Sequence, residues 1–246
     1  MKTGTLGTGL LAVMLAAATA GAQQDGEAHF NNGLTHMREG RANMALEEFK
    51  QAVKQDGKNA YFYKGLGVCY LQLHRFPNAV EAFRRALQLN PYYVDARNDL
   101  GTALLMSGKR DEGKAELLAA FNDPTNPTPE VSARNLGAAY FEEKRFPEAA
   151  NWFRSSLGRN AQLVDAYLGL SDALLAQGRS DEAARAMEEA LKRLPGNAAL
   201  LVALGEAYYR SGRFNEARTR LEEAKTMDRT GSVTQRANEL LRQFNK

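Results

Sequence analysis

The amino-acid sequence predicts an all-α fold built from six helical hairpins, and two observations carry this prediction. A small residue recurs in steps of 34, 34, 36, 34 and 34 residues, at Gly33, Gly67, Gly101, Gly137, Ser171 and Gly205. A second small residue follows each of these after 12 positions, at Ala45, Ala79, Gly113, Ala149, Ala183 and Ala217. The pattern extends from about Gly26 to Gly231, which indicates six copies of one unit.

Each unit is predicted to be a pair of antiparallel helices. Two helices approach closely only where their facing side chains are small, and large apolar residues fill the gaps beside them. The segments YKGLGVCYLQL and NAVEAFRRALQL have apolar residues at helical spacing. The two helices of a unit are separated by a short polar turn, which contains Gly40, Gly108, Gly178 or Gly212 in four of the units.

Several residues predict where the second helix of a unit begins and ends. Pro77 and Pro147 stand where it begins, since proline's missing N–H group is tolerated in a first helical turn. Ser180 is the expected N-cap residue of the second helix in the fifth repeat. Pro91 and Pro195 are expected to follow the end of the second helix.

These residues resemble the tetratricopeptide repeat. YKGLGVCY followed by Ala79, Phe83, Ala86 and Pro91 has the small and large residue types of that family in the same order. The resemblance implies a right-handed α-solenoid of six helix-hairpin repeats, which we place at 26–59, 60–93, 94–127, 130–163, 164–197 and 198–231.

The third repeat departs most from the family pattern. Gly113 stands where the other repeats have alanine, and the segment DPTNPTP adds two residues before the next repeat. We therefore expect a bend or a weakened contact in the middle of the array. Residues 23–246 are still expected to form one continuous repeat domain, because stacked hairpins share a linear core.

The segment after the last repeat predicts a capping helix over 232–246. Its apolar residues fall on one side, at Val233, Ala237, Leu240, Leu241 and Phe244. Such a helix covers the apolar face that the final hairpin would otherwise expose.

Residues 1–22 have the pattern of a signal peptide. Lys2 precedes an apolar run from Leu10 to Ala18, and the small residues of Ala20-Gly21-Ala22 form a predicted cleavage site before Gln23. The run is short for a membrane span, although an uncleaved N-terminal anchor is the alternative. We predict an exported protein, periplasmic or secreted, without an integral membrane span after cleavage.

Composition and motifs argue against catalysis and nucleic-acid binding. The formal net charge is +3 with both signs interspersed, and no basic block is present. The sequence lacks HExxH, GxSxG and phosphate-binding glycine motifs. His29 and His36 are too far apart on one helix to share a metal ion, and Cys69 is expected to be a small buried side chain. We predict a non-enzymatic protein with no cofactor and no metal site.

The resemblance also implies a binding surface. In this family, the second, fifth, ninth and twelfth positions of the first helices line a concave groove. The predicted partner-binding residues are Phe30, Lys64, Leu71, Asn98, Thr102, Leu105, Arg134, Phe141, Asp172, Glu206 and Tyr209. Lys64, Asn98 and Arg134 are expected to form a polar ladder, and the last third of the groove is expected to be acidic.

The predicted function is an exported scaffold that binds a protein or peptide segment in this groove. The alternative is a structural or self-associating component of an envelope or secretion assembly that docks by its outer face or its ends. Trp152, expected on the outer face of a second helix, favours that alternative.

Overall fold

A computed structural model describes residues 24–228 and 231–243, and within these ranges the chain forms thirteen α-helices and no β-strand. The predicted all-α fold class is confirmed. The helices are α1 (24–38), α2 (Ala42–Gln55), α3 (Ala60–Gln72), α4 (Phe76–Leu89), α5 (Val94–Met106), α6 (Arg110–Asn122), α7 (Pro129–Glu142), α8 (Phe146–Arg159), α9 (Val164–Ala176), α10 (Ser180–Arg193), α11 (Ala198–Arg210), α12 (Phe214–Met227) and α13 (Ser232–Gln243). The predicted signal peptide lies outside the described residues.

The first twelve helices alternate as predicted, with one short turn inside each hairpin. In four of these turns, a glycine adopts a positive φ, at Gly40, Gly108, Gly178 and Gly212. The other two repeats have His74 and Lys144 at the same turn position, with φ of 56° and 60°. Because side chains other than glycine are strained in this region, these two turns store conformational strain.

The helix boundaries confirm the proline predictions and correct one cap. Pro77 and Pro147 lie in the first turns of α4 and α8. Ser180 is the first residue of α10 and makes no capping hydrogen bond, so its prediction as the N-cap is wrong. The N-cap is Arg179, whose guanidinium instead donates to both carboxylate oxygens of Glu182 at 2.7 Å.

The chain divides into two compact units, and the boundary lies inside α6, between Glu116 and Leu117. We call them unit 1 (24–116) and unit 2 (117–228 with 231–243). The boundary falls in the third repeat, the one that departs most from the family pattern. The predicted weakness of the contact between the third and fourth repeats stays a prediction.

In unit 1, phenylalanine rings pack on glycines of the neighbouring helix. A Cβ atom on Gly33 or Gly67 would lie within 2.8 Å of the rings of Phe49 and Phe83, so neither position has room for a larger residue. Cys69 is fully buried, and its thiol donates to the Ala42 carbonyl at 3.2 Å. Burial raises the pKa of this thiol to about 11, which keeps it protonated and unreactive.

Gly113 lies at a close contact between α5 and α6. A Cβ atom at this position would lie 2.8 Å from the carbonyl oxygen of Gly101 and 2.8 Å from Cγ of Leu105. The missing side chain therefore lets α6 approach the backbone of α5 closely.

Unit 2 has a continuous core from α8 to α12, and α13 covers its last hairpin. Ala237 and Leu240 of α13 are buried against Leu201, Val202, Leu221 and Ala224. The carboxylate of Asp228 accepts hydrogen bonds from the backbone N–H groups of Val233 and Thr234 at 2.8 and 2.7 Å, which caps this helix. The predicted capping residue Phe244 lies outside the described residues.

Candidate functional site

The predicted groove residues fall in both units. In unit 1, Phe30 is largely structural. Its ring lies 5.1 Å from that of Phe62 and 5.5 Å from that of Phe49, between centroids. A Cβ atom on Gly65 would approach the Phe30 ring to 2.6 Å, so this glycine makes room for it.

Lys64 is already engaged within unit 1. Its ammonium group lies 3.5 Å from the carboxylate of Asp99, and both side chains are less than a third exposed. Burial raises the pKa of the Asp99 carboxyl, and the positive charge of Lys64 opposes this rise. Sequence reasoning placed Lys64 in a ladder that reaches toward a partner, and it missed this cross-helix ion pair.

The remaining predicted residues of unit 1 are half-buried. Leu71 packs on the core cluster between α4 and α5. The Thr102 hydroxyl donates to the backbone carbonyl of Asn98 at 3.2 Å, and the side chain of Leu105 lies against Gly113. None of these contacts creates an open binding cleft in this unit.

Unit 2 contains a cleft of about 330 Å³ between α7 and α9. Each helix contributes one stripe of side chains, at spacings of three and four residues. The stripe of α7 is Arg134, Ala138, Phe141 and Glu142, and the stripe of α9 is Asp165, Leu168, Gly169 and Asp172. The cleft thus brings together three predicted site residues, namely Arg134, Phe141 and Asp172.

The cleft also contains Phe153 of α8, which was not among the predicted site residues. This ring can lie between α7 and α9 because a Cβ atom on Gly169 would stand 2.4 Å from it, and one on Gly137 would stand 2.8 Å from it. The glycine at each position was visible in the sequence. The sequence signal for the cleft is the presence of these two glycines together with a charged residue, Arg134.

Asp172 has an unusual electrostatic position in this cleft. Its side chain is exposed, and it makes no hydrogen bond or ion pair with the described residues. The concave wall nevertheless replaces part of the surrounding water by protein. This desolvation, together with the negative charge of Glu206, raises the pKa of the Asp172 carboxyl, while Arg236 opposes the rise.

Glu206 and Tyr209 of α11 are held by neighbouring side chains. The Glu206 carboxylate lies 3.3 Å from the Arg210 guanidinium and 2.9 Å from that of Arg236 on α13. The Tyr209 ring lies 5.6 Å from the ring of Phe214. Neither residue lines the cleft, and Glu206 acts on it only through its charge.

Unit 1 has a larger concavity of about 720 Å³ beside α4, away from the predicted stripe. Both of its arginines are already partnered. The guanidinium of Arg84 lies 2.8 Å from the Glu112 carboxylate, and that of Arg85 donates to Gln88 and lies over the ring of Tyr63. The cleft of unit 2 is therefore the better candidate site, although it is smaller.

Trp152 is less exposed than the sequence predicted. Its indole is half-buried, and its ring packs edge-on against Phe121 with centroids 5.3 Å apart. The tryptophan thus joins α6 and α8 within unit 2. It gives little support to a docking role for the outer face.

The described residues contain no cluster of His, Cys, Asp and Glu that could hold a metal ion. The two histidines considered above pair with carboxylates instead, His29 with Glu48 at 2.7 Å and His36 with Glu39 at 3.6 Å. No helix within the described ranges has the length and apolar character needed to cross a membrane.

Proteins similar in sequence to this chain include a pilus assembly protein and a probable glycosyltransferase. The chain is 24% identical over 148 residues to the type IV pilus assembly protein PilF of Pseudomonas aeruginosa, which covers 60% of this chain and 59% of that protein. It is 28% identical over 137 residues to a probable peptide N-acetylglucosaminyltransferase, SPINDLY, of Hordeum vulgare, which covers 53% of this chain and 14% of that protein. The chain thus spans less than two thirds of the length of either relative.

Solved structures show the same fold. The type IV pilus biogenesis factor PilW superposes with a TM-score of 0.73 at 22% identity, over 85% of this chain and 96% of that one. The structure of Pseudomonas aeruginosa PilF gives a TM-score of 0.70 at 21% identity, over 91% and 99%. Two sequence profiles, both described as tetratricopeptide repeat, match residues 30–94 and residues 71–133 with 174–233. The chain belongs to the tetratricopeptide repeat family.

Proposed function

We propose that this protein is a non-enzymatic interaction scaffold that binds a segment of a partner protein in the cleft of unit 2. The observation that carries the proposal is the open cleft between α7 and α9, whose lining combines half-buried apolar side chains with exposed carboxylates and one arginine. This combination is typical of binding sites in proteins. The family membership supports a protein partner.

The apolar and the charged side chains of the cleft serve different purposes in this proposal. Leu168 and Phe141 are half-buried and provide apolar surface, which supplies most of the affinity when a partner covers it. Arg134 and Asp172 provide charge, which selects and orients the partner.

A photo-crosslinking experiment tests this function. A benzoylphenylalanine at position 168 should crosslink a partner protein in an extract of the cell envelope. The matched control is the same amino acid at position 118, because Leu118 is an exposed apolar residue of α6 that does not line the cleft. Crosslinks from position 118 without any from position 168 would contradict the proposal.

The second candidate is a structural component of an envelope or secretion assembly that docks by its outer face or ends. The similarity to the pilus proteins PilF and PilW is the observation that favours it. The same crosslinking experiment separates the two candidates, since docking by the outer face gives partner or self-crosslinks from position 118.

Export is part of the proposal. The pattern of residues 1–22 favours a signal peptide, and the similarity to pilus assembly proteins is compatible with a location in the envelope. We expect N-terminal sequencing of the mature protein to begin at Gln23, with the product soluble in the periplasm or the medium. An intact Met1 on membrane-bound protein would overturn this part of the proposal.

A further inference from the structure

We propose that the cleft of unit 2 selects partner segments that insert a lysine or arginine side chain, an inference that rests on the proposed function. The charged residues lining the cleft are three carboxylates, of Glu142, Asp165 and Asp172, and one guanidinium, of Arg134. The lining is therefore net negative. A cleft lined mainly by one sign of charge concentrates the field that attracts the opposite charge.

The carboxylate of Asp172 contributes a negative charge to the cleft that no neighbouring cation among the described residues pairs with. Asp172 has no ion-pair partner among the residues that the structure describes. The nearby Arg236 does not neutralise it, because its guanidinium lies 2.9 Å from the Glu206 carboxylate. A cationic side chain of a partner would neutralise the negative charge of Asp172.

The apolar surface indicates a long cationic side chain rather than a small ion. Leu168 and Phe141 can contact the methylene groups of lysine or arginine while the charged end reaches the carboxylates. Phe141 lies beside Glu142 on the same stripe, and an aromatic face stabilises a bound cation further. A volume of about 330 Å³ suits one long side chain with its adjoining backbone.

Arg134 gives the cleft a second charged position, which is positive and can bind a carboxylate. It lies seven residues before Phe141 on α7, which separates them by roughly 10 Å along the helix axis. An extended chain covers that distance in about three residues. A carboxylate three residues from the inserted cation can therefore reach Arg134, which makes no ion pair or hydrogen bond within the described part of the chain.

The test uses two labelled peptides of nine residues that are identical except for lysine or glutamate at the centre, with leucine on both sides of it. Fluorescence anisotropy at low ionic strength should show about tenfold tighter binding of the lysine peptide. In the Asp172→Lys variant, the preference should reverse, so that the glutamate peptide binds more tightly. Added salt should reduce both preferences.

The matched control is Asp181→Lys, which makes the same charge change on an exposed residue of α10 outside the cleft. It should leave the preference for lysine unchanged. Circular dichroism checks that both variants fold. If Asp172→Lys fails to fold, Asp172→Asn replaces it and should lower the preference for lysine about threefold.

The outcomes separate this inference from the proposed function. Equal binding of both peptides, lost in a Leu168→Arg variant, overturns the preference for a cation but leaves the cleft as a binding site. Binding of neither peptide also overturns the inference. The crosslinking from position 168 tests the proposed function without reference to charge.

Discussion

Two pairs of neighbouring hairpins can be compared: the first and second repeats, in unit 1, and the fourth and fifth repeats, in unit 2. Both pairs follow the same repeat pattern, but the surfaces between their first helices differ. Phe30 and Arg134 both occupy the fifth position of their repeats. In unit 1, the Phe30 ring packs between Phe49 and Phe62 and fills the space between α1 and α3. In unit 2, Arg134 lines an open cleft, and Ala166 stands where Phe62 stands in unit 1.

A second pair of positions shows the same contrast in charge. Lys64 in unit 1 pairs with Asp99, whereas its counterpart Leu168 in unit 2 contributes to the cleft. Val68 in unit 1 corresponds to Asp172 in unit 2. The small and large positions of the repeat thus determine the hairpin, and a few other positions determine whether the surface is filled or open to a ligand.

The largest expected difference is between truncations at the two fifth positions. Phe30→Ala should lower the free energy of unfolding by about 2–4 kcal/mol, because it removes a ring packed on two others. Arg134→Ala should change it by less than about 0.5 kcal/mol. Urea denaturation of both variants measures the two values, and equal losses would contradict the proposed difference between filled and open surfaces.

Gly169→Ala should destabilise the protein by about 1–3 kcal/mol, because the added Cβ atom meets the Phe153 ring at the base of the cleft. Gly158→Ala on α8 is the control. A Cβ atom there meets nothing within 4 Å, so the better helix former should stabilise the protein by about 0.5–1 kcal/mol. Thermal unfolding of both variants should give shifts of opposite sign.

The strained turns give a smaller effect that is expected in both units. Lys144→Gly should stabilise unit 2 by about 0.5–1 kcal/mol, since glycine adopts the positive φ without strain. His74→Gly in unit 1 should gain less, because it loses the edge-on contact with Phe76 at 5.8 Å. Denaturation midpoints measure both gains, and the reverse change Gly178→Lys should destabilise by a similar amount.

The smallest effect concerns the pH dependence of stability at the open cleft. The pKa of Asp172 is raised in the folded protein by desolvation and by Glu206, with Arg236 opposing the rise. The folded state therefore holds the proton more tightly than the unfolded state. As pH rises from the unfolded value of about 3.9 through the raised folded pKa, this carboxyl contributes progressively less stability.

The Asp172→Asn substitution removes this loss of stability at higher pH. The variant should be more stable than the parent at pH 7, and the difference should vanish below about pH 4. The difference in the free energy of unfolding at pH 7 should be roughly a few tenths of a kcal/mol, because water screens an exposed carboxylate. Urea denaturation across this pH range measures it, and an asparagine variant that is less stable at pH 7 would show that the carboxylate has a stabilising partner.

Much of the fold was predictable from the sequence because the hairpins depend on local spacing. The register of small residues, the turn glycines and Pro77 or Pro147 each act within one repeat or on the next helix. The candidate site was predictable only in part. Arg134, Phe141 and Asp172 follow from the groove positions, but the pairing of Lys64 with Asp99 depends on side-chain geometry across two helices.

Gly113 and Phe153 show why the remainder was missed. A glycine inside a helix has one intrinsic effect, a lower helix propensity, but its role here depends on how closely the Gly101 backbone approaches. A large residue at the position of Phe153 is core in every repeat. Whether it also forms the base of a cleft depends on the residues opposite it, which vary from repeat to repeat.

A methyl NMR titration with the lysine peptide distinguishes the two surfaces, since Leu168 has methyl groups at the open cleft and Val68 has methyl groups at the filled surface of unit 1. We expect the Leu168 methyl signals to shift on addition of the peptide while those of Val68 stay unchanged. Shifts at Val68, with none at Leu168, would contradict the proposed binding at the cleft.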